Sequence, residues 1–440
     1  MKKGLLILIL NCFVALGFCQ KVLTHDSFIG QKLIYVESDN GLHCLSLENG
    51  REIWYFAAIS GDTPAVDQNQ GFVYYQSNTR FWKLDARTGV QLDYVAVPSP
   101  AKATCTNTIL IDDAHGYFLA TIWSEQAMAY SGTIRVYDSD LDTVWTITGL
   151  NTNWKATISY NDGLLFVGTG ETFAYSYNWD WYGGELEDCR VIAYNIADGS
   201  VEWTFEVDDT ASYQLGGRGI MNVIYCNGYL IAETQGGGTA PVQLYEIYVL
   251  DASDGSLLKT YNTWAAKTSS CGVPCFSYGR LFSGDIISGD AIVTQLGTGT
   301  KDDWESAFGD PKINPMSAPA TALATLDVTP THVGQVAGAK QGGMVKDGIA
   351  YFTDGLAVNG GVIAFDVETL SVIRKYDSEQ NWDSSPLVTE RKNGDLVLLI
   401  KESVTSRVIA YKVDDGTLLW TSDNNMPGTV FFGFSYYDNP

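Results

Sequence analysis

Short stretches in which apolar and polar residues alternate run through most of the chain, broken by clusters of Gly, Asp, Asn and Thr. That is the two-residue period of half-buried β-strands. No long segment carries a helical period, so the expected class is all-β. Strand pairs are predicted in AVDQNQGFVYYQS (65–77), ISYNDGLLFVGTG (158–170) and VKDGIAYFTDG (345–355).

A second kind of pair follows each of these and repeats. LHCLSLENGREIW starts at Leu42, FWKLDARTGVQLD at Phe81, IRVYDSDLDTVW at Ile134, VIAYNIADGSVEW at Val191 and IYVLDASDGSLLK at Ile247. LATLDVTPTHVGQ from Leu323, VIAFDVETLSVIR from Val362 and VIAYKVDDGTLLW from Val408 complete the set. The starts recur about every 52 residues, the length of a four-stranded propeller blade with generous loops. Each motif reads as a hairpin. Gly50, Gly89, Gly199, Gly255 and Gly416 supply a positive φ at the turn, while Asp85, Asp138, Asp251, Asp327 and Asp366 are placed to accept from turn amides. Trp54, Trp145, Trp203 and Trp420 are expected to wedge between neighbouring blades. Eight motifs predict one eight-bladed β-propeller of four-stranded antiparallel blades over 20–440. Ring closure is left open between the stretch after Val22 and the C-terminal TVFFGFSYY (429–437).

The repeats KLDARTG (83–89), AYNIADGSVEW (193–203), VLDASDG (249–255) and AYKVDDGTLLW (410–420) resemble the tryptophan-docking motif of the pyrroloquinoline-quinone-like (PQQ-like) propeller family. The resemblance spans essentially the whole mature chain and implies the propeller fold. It leaves function open, because the family includes quinone-dependent dehydrogenases, outer-membrane assembly lipoproteins and secreted propellers without chemistry. In the dehydrogenases the resemblance implies a quinone stacked on a disulfide of adjacent cysteines, with calcium and an Asp base nearby. This chain has no Cys-Cys pair and no Cys-x-x-Cys-His site. No cofactor is therefore expected, with calcium or PQQ as the minority reading.

The formal charge of −24 argues against nucleic acid, whose affinity comes from Lys and Arg on phosphates. Residues 1–19 read as a secretory signal peptide, and no later run is long and apolar enough to span a membrane. The expected location is extracellular or periplasmic. Leu16-Gly17-Phe18-Cys19 resembles a lipobox with Phe18 where a small residue belongs, so anchoring at Cys19 is the lesser alternative. Past Cys19 the cysteines are Cys44, Cys105, Cys189, Cys226, Cys271 and Cys275. In an oxidising compartment disulfides are expected, with Cys271 and Cys275 of CGVPC closing a small loop. Cys44 reads equally as a buried thiol.

Two groups of residues are candidate binding sites. Segments entering the innermost strands carry Trp154, Lys155, Arg218, Lys340 and Trp382, which read either as an anion-attracting funnel or as cations balancing local carboxylates. On the same face, the insertion 171–188 carries Tyr175, Tyr177, Trp179, Trp181 and Tyr182, suited to stacking on sugars or to a protein interface. Segments 235–246 and 297–322 are read as further insertions there. Asp138, Asp140 and Asp142 place three carboxylates at alternate positions, a weak calcium candidate. The expectation is a non-catalytic scaffold for a protein or glycan partner, able to form homo-oligomers or filaments. The alternatives are a quinone-dependent dehydrogenase and a periplasmic assembly scaffold.

Overall fold

The computed structural model describes residues 28–58, 63–77, 79–97, 103–125, 132–150, 158–170, 189–207, 219–235, 246–262, 274–285, 289–304, 316–354, 360–378, 385–402, 405–423, 426 and 433–440. Each predicted pair of strand pairs joins into one antiparallel sheet of four strands. Eight such sheets form an eight-bladed propeller. In the fourth blade the strands run, from innermost to outermost, Ile158–Asn161, Leu164–Gly168, Arg190–Asn195 and Val201–Glu206. The disk therefore has two unlike faces. The turn face carries the connections from first to second and from third to fourth strands. The link face carries the connections from second to third strands and the links between blades.

Closure joins the two ends of the chain. The first blade takes Lys32–Ser38, Gly41–Ser46 and Glu52–Phe56 from the N-terminal side, and its innermost strand is the C-terminal Phe434–Asp438. Lys32 pairs with Asp438 and Val36 with Phe434 at the ends of this antiparallel ladder. Of the two closures left open by the sequence, the C-terminal one is used.

The motif tryptophans hold blade to blade. The indole N–H of Trp54 donates to Ala86 O (3.1 Å), that of Trp145 to Ile196 O (2.8 Å), that of Trp203 to Ala252 O (3.2 Å) and that of Trp420 to Leu47 O (3.0 Å). Each acceptor lies in the turn of the next blade. The ring lies over that turn's glycine so closely that a Cβ on Gly255 would fall 2.4 Å from Trp203. Glycine is thus needed here for the close approach as well as for its φ of 72°. In the seventh blade Arg374 takes the tryptophan's register and donates to Asp414 O (3.2 Å) and to Asp415 O. The hydrophobic core is divided among these seams between blades.

Three expectations are corrected. The motif at 323–335 is no hairpin: it lies in one strand, Thr325–Ala337, the outermost of the sixth blade, and Asp327 sits within that strand. Its partner is Asp290–Thr298, and 299–324 is an insertion in the turn between them. The segment 297–322 consequently belongs to the turn face, away from the link face at which the second strands of the fourth and fifth blades end.

The disulfide between Cys271 and Cys275 is the third. Cys275 is a free thiol, as are Cys44, Cys189 and Cys226. Cys275 opens the innermost strand Cys275–Ser277, where alternation turns its side chain into the core against Phe282, Val345 and Phe352. Burial pushes the thiols of Cys44 and Cys275 well above the usual range, and that of Cys226 up to about 12. Such thiols are inert while the protein is folded. Denatured, unreduced protein should accept iodoacetamide at all four; a bridge at any of them would leave that cysteine unmodified in the peptide map.

Candidate functional site

The second strand of every blade runs from the turn face to the link face with neighbouring blades on both sides. Tyr35 thus packs toward the second blade and Ile34 toward the eighth. Pairing with the third strand fixes equivalent positions: Leu33 opposite Ser46, Phe72 opposite Asp85, Tyr229 opposite Asp251, Ile349 opposite Asp366 and Val397 opposite Lys412. Four residues on, near the link face, stand Glu37, Gln76, Glu233, Thr353 and Lys401. All are buried; Glu233 is 0% and Lys401 1% exposed. Burying charge costs stability unless it is paired, so five polar groups at one level mark this end of the blades.

Their partners bridge the seams. Asn222 Nδ2 donates to Glu233 Oε2 (2.8 Å), and Ser283 of the sixth blade donates to the other carboxylate oxygen. Thr121 Oγ1 donates to Gln76 Oε1 (2.8 Å) across the second seam. Lys401 faces the first blade from the eighth. Burial lowers it to about 8, opposed by the Glu37 and Asp39 carboxylates.

A histidine cluster sits on the first blade at the same end. His43 Nδ1 lies 2.8 Å from Glu52 Oε2, and Nε2 lies 2.9 Å from both Ser38 Oγ and Asn40 Oδ1. Its ring leans on Tyr55, with centroids 4.7 Å apart. The hydroxyl of Tyr55 donates to Asn40 O, bracing the hairpin tip.

At the turn face the chain itself lies along the channel edges of the fifth and seventh blades. Val345 lies in the innermost strand of the seventh blade, and its N–H and C=O turn away from the second strand toward the channel. Both bond to Trp304 of the insertion, at 2.8 Å. In the fifth blade Tyr225 N–H donates to Met316 O (2.9 Å), and Ala318 N–H donates to Tyr225 O (2.8 Å). The sixth blade's own innermost strand has only three residues, and Tyr278 and Gly279 just beyond it donate to Thr300 O and Ala322 O. Trp304, Met316, Ala322 and Leu323 are fully buried here. The insertion thus supplies the backbone partners that the shortened strand leaves to be filled.

Of the funnel residues read from the sequence, Lys340 is described. Its Nζ lies 2.7 Å from Asp354 Oδ1, with Lys375 Nζ 3.9 Å from the other oxygen, and its chain passes Gly289 of the sixth blade. Lys340 is thus paired with a local carboxylate. Trp154, Lys155, Arg218, Trp382, Tyr175, Tyr177, Trp179, Trp181, Tyr182 and Cys271 lie outside the described residues, as does the signal segment 1–19.

The calcium reading does not fit the geometry of its loop. Asp138 Oδ1 accepts from Asp140 N (3.0 Å) and Asp142 N (2.9 Å), which closes the hairpin turn on itself. Among the described residues no group of three His, Cys, Asp or Glu is placed to hold a metal. Missed by the sequence reading are Glu37, Glu233, Lys401 and the His43 cluster. Their only signal was a charge inside an apolar run, as in VLLIKE (397–402).

No protein-family model matches the chain, and neither does any curated protein. Solved structures do. Dihydro-heme d1 dehydrogenase NirN in complex with DHE is similar at 12% identity and TM-score 0.57, over 93% of this chain and 75% of that one. Apo AztD from Citrobacter koseri is similar at 8% identity and TM-score 0.50, over 92% of this chain and 97% of that one. At such identities these likenesses show the propeller fold. Among the described residues no helix is long and apolar enough to cross a membrane.

Proposed function

We propose that the chain is an exported binding propeller that takes a protein or glycan partner on its link face, without chemistry of its own. The observation that supports this is the unlikeness of the two faces. On the turn face the chain's own insertion lies along the channel edges of the fifth and seventh blades, whereas Glu37, Gln76, Glu233, Thr353 and Lys401 stand at one level near the link face. Gly170 and Cys189, the described residues that flank the aromatic segment 171–188, lie toward that same face on a rigid scaffold, where recognition usually resides.

Native mass spectrometry of protein purified from its own source tests the reading. The expected result is a partner adduct, or multiples of the chain mass, that disappear when 171–188 is shortened. An adduct of small-molecule mass that survives the shortening overturns it.

A second reading has one observation in its favour, the likeness over 93% of this chain to a dehydrogenase propeller. A redox propeller would reduce a dye in the presence of an alcohol, a sugar or a reduced haem. Activity in such an assay would replace the binding reading.

A further inference from the structure

We propose that the rim of the seam between the first and second blades, at its link-face end, is a subsite for a hexuronate residue of a glycan. The choice of a glycan rests on the binding reading above; the aromatic shelf that forms the subsite does not.

Alternation along two strands builds the shelf. In the second blade the third strand, Arg80–Asp85, turns Arg80, Trp82 and Leu84 to one side, and Trp82 and Leu84 lie in the core shared with the first blade. The outermost strand, Gln91–Ala96, sets Tyr94 opposite Trp82. The two ring centroids are 5.2 Å apart, and Phe56 of the first blade meets Trp82 edge-on at 5.1 Å. Trp82 is buried and its indole N–H donates to Ser77 Oγ (3.1 Å), whereas Tyr94 is 44% exposed. Aromatic surface is thus left in water where the two blades part.

Arg80 covers the link-face end of this surface. Its Cζ stands 4.3 Å from the centroid of the Tyr94 ring and 5.1 Å from that of Trp82. Arg87, Arg280 and Arg391 each donate to a neighbouring blade. Arg135, which lies over Trp123 in the third blade, donates to Thr146 Oγ1 (2.9 Å). Arg80 meets the two rings and, among the described residues, no acceptor. A guanidinium held on aromatic rings keeps its fork of donors pre-oriented, and that fork matches the two oxygens of a carboxylate. In a chain with 51 acidic residues against 27 basic ones, an arginine left without a carboxylate is placed to take one from outside.

Both halves of the shelf define the occupant. It must lay an apolar ring face along Tyr94 and Phe56 and carry a carboxylate at one end, as a hexuronate does with its C–H face and its C5 carboxylate. A peptide strand fits less well. Adding one to this rim needs main-chain donors, and the Tyr94 amide already donates to Asp93 Oδ1 (2.8 Å). The net charge of −24 opposes a long acidic polymer, but such a field is screened over about 8 Å at physiological salt. The glycan is therefore a largely neutral one that carries uronate at intervals.

Saturation-transfer NMR on the intact protein tests the subsite, with methyl β-glucuronide as the probe and methyl β-glucoside as its neutral counterpart. The glucuronide is expected to bind saturably, and the glucoside about fivefold more weakly. Arg80→Gln is expected to bring the glucuronide down to the level of the glucoside, and Tyr94→Ala to weaken both sugars about fivefold. Both side chains are exposed, so neither variant should lose its fold. Equal binding of the two sugars, or glucuronide binding that survives Arg80→Gln, overturns the proposal. N-acetylalanine binding as tightly as the glucuronide also overturns it, since the shelf would then take any carboxylate. Shortening 171–188 should leave glucuronide binding unchanged. A partner adduct that depends on 171–188 without any glucuronide binding removes the subsite and keeps the binding reading; glucuronide binding without an adduct does the reverse.

Discussion

Deleting residues 433–440 should abolish the cooperative unfolding transition of the whole propeller. The segment contributes one strand of one blade, yet it lines two seams: Tyr437 packs between the first and second blades, and Phe434 and Tyr436 between the eighth and first. Truncating a buried aromatic costs about 3–5 kcal/mol, and three together reach the ~5–15 kcal/mol of a typical domain. Side chains from neighbouring blades lose their partners as well. Arg87 donates to Tyr437 Oη (3.0 Å) and Asn439 Oδ1 (2.7 Å), Gln68 donates to Tyr436 O (2.7 Å), and Lys32 pairs with Asp438 (3.3 Å). The strand Lys32–Ser38 would become an open apolar edge, prone to pair with other chains. Thermal denaturation by circular dichroism decides the matter. A truncated protein melting within a few degrees of the full chain would mean that the ring is held by its other six seams. Restored cooperativity on adding a peptide of 429–440 would show that the missing strand itself, rather than misfolding during synthesis, causes the loss.

The seams were legible in the sequence because their parts recur. A turn residue that reaches positive φ, an aspartate closing the turn and a tryptophan four residues on are chemical needs of one junction, repeated wherever it is built. Where the turn is built otherwise, the reading slips. In the third and seventh hairpins Leu141 (φ 62°) and Leu370 (φ 60°) take the position glycine fills elsewhere, yet the flanking alternation kept both in register. In the sixth blade the turn became an insertion, no local signal tied Asp290–Thr298 to Thr325–Ala337, and alternation along the latter imitated a hairpin. The CGVPC spacing misled for a related reason. Proximity along the chain said nothing of the direction of Cys275, which its strand fixes toward the core. The polar residues near the link face stayed hidden because alternation normally sends polar positions to water. A second strand in a propeller has no water side, and both faces of Lys32–Ser38 lie in seams. Glu37, Glu233 and Lys401 are therefore visible only once the ring is closed.

Lys401 turns that burial into a measurable pH dependence. Its ammonium is brought from 10.5 to about 8, chiefly by burial, against the pull of Glu37 and Asp39. In the unfolded chain it holds its proton up to the ordinary lysine range. Between pH 8 and 10.5 this group thus binds more protons in the unfolded state than in the native state, and its contribution to stability must rise with pH across that window. Below pH 8 the full penalty of the buried charge, about 3 kcal/mol, is present. About 2 kcal/mol of it should be recovered between pH 7 and pH 9.5. Buried tyrosines and thiols act oppositely: burial raises Tyr35, Cys44 and Cys275 well above their ordinary ranges and Tyr74 and Cys226 to about 12, so stability is lost as the unfolded chain's thiols and then its phenols give up their protons. The Lys401 contribution is therefore read as the difference in urea-unfolding free energy between the wild type and Lys401→Met. Lys401→Met keeps the volume and removes the proton, so the wild type should gain about 2 kcal/mol relative to it between pH 7 and pH 9.5, whatever the thiols and phenols contribute to both proteins. Parallel profiles for the two proteins would mean that Lys401 keeps its proton throughout. The charge at the seam would then be held by the Glu37 and Asp39 carboxylates strongly enough to outweigh its burial.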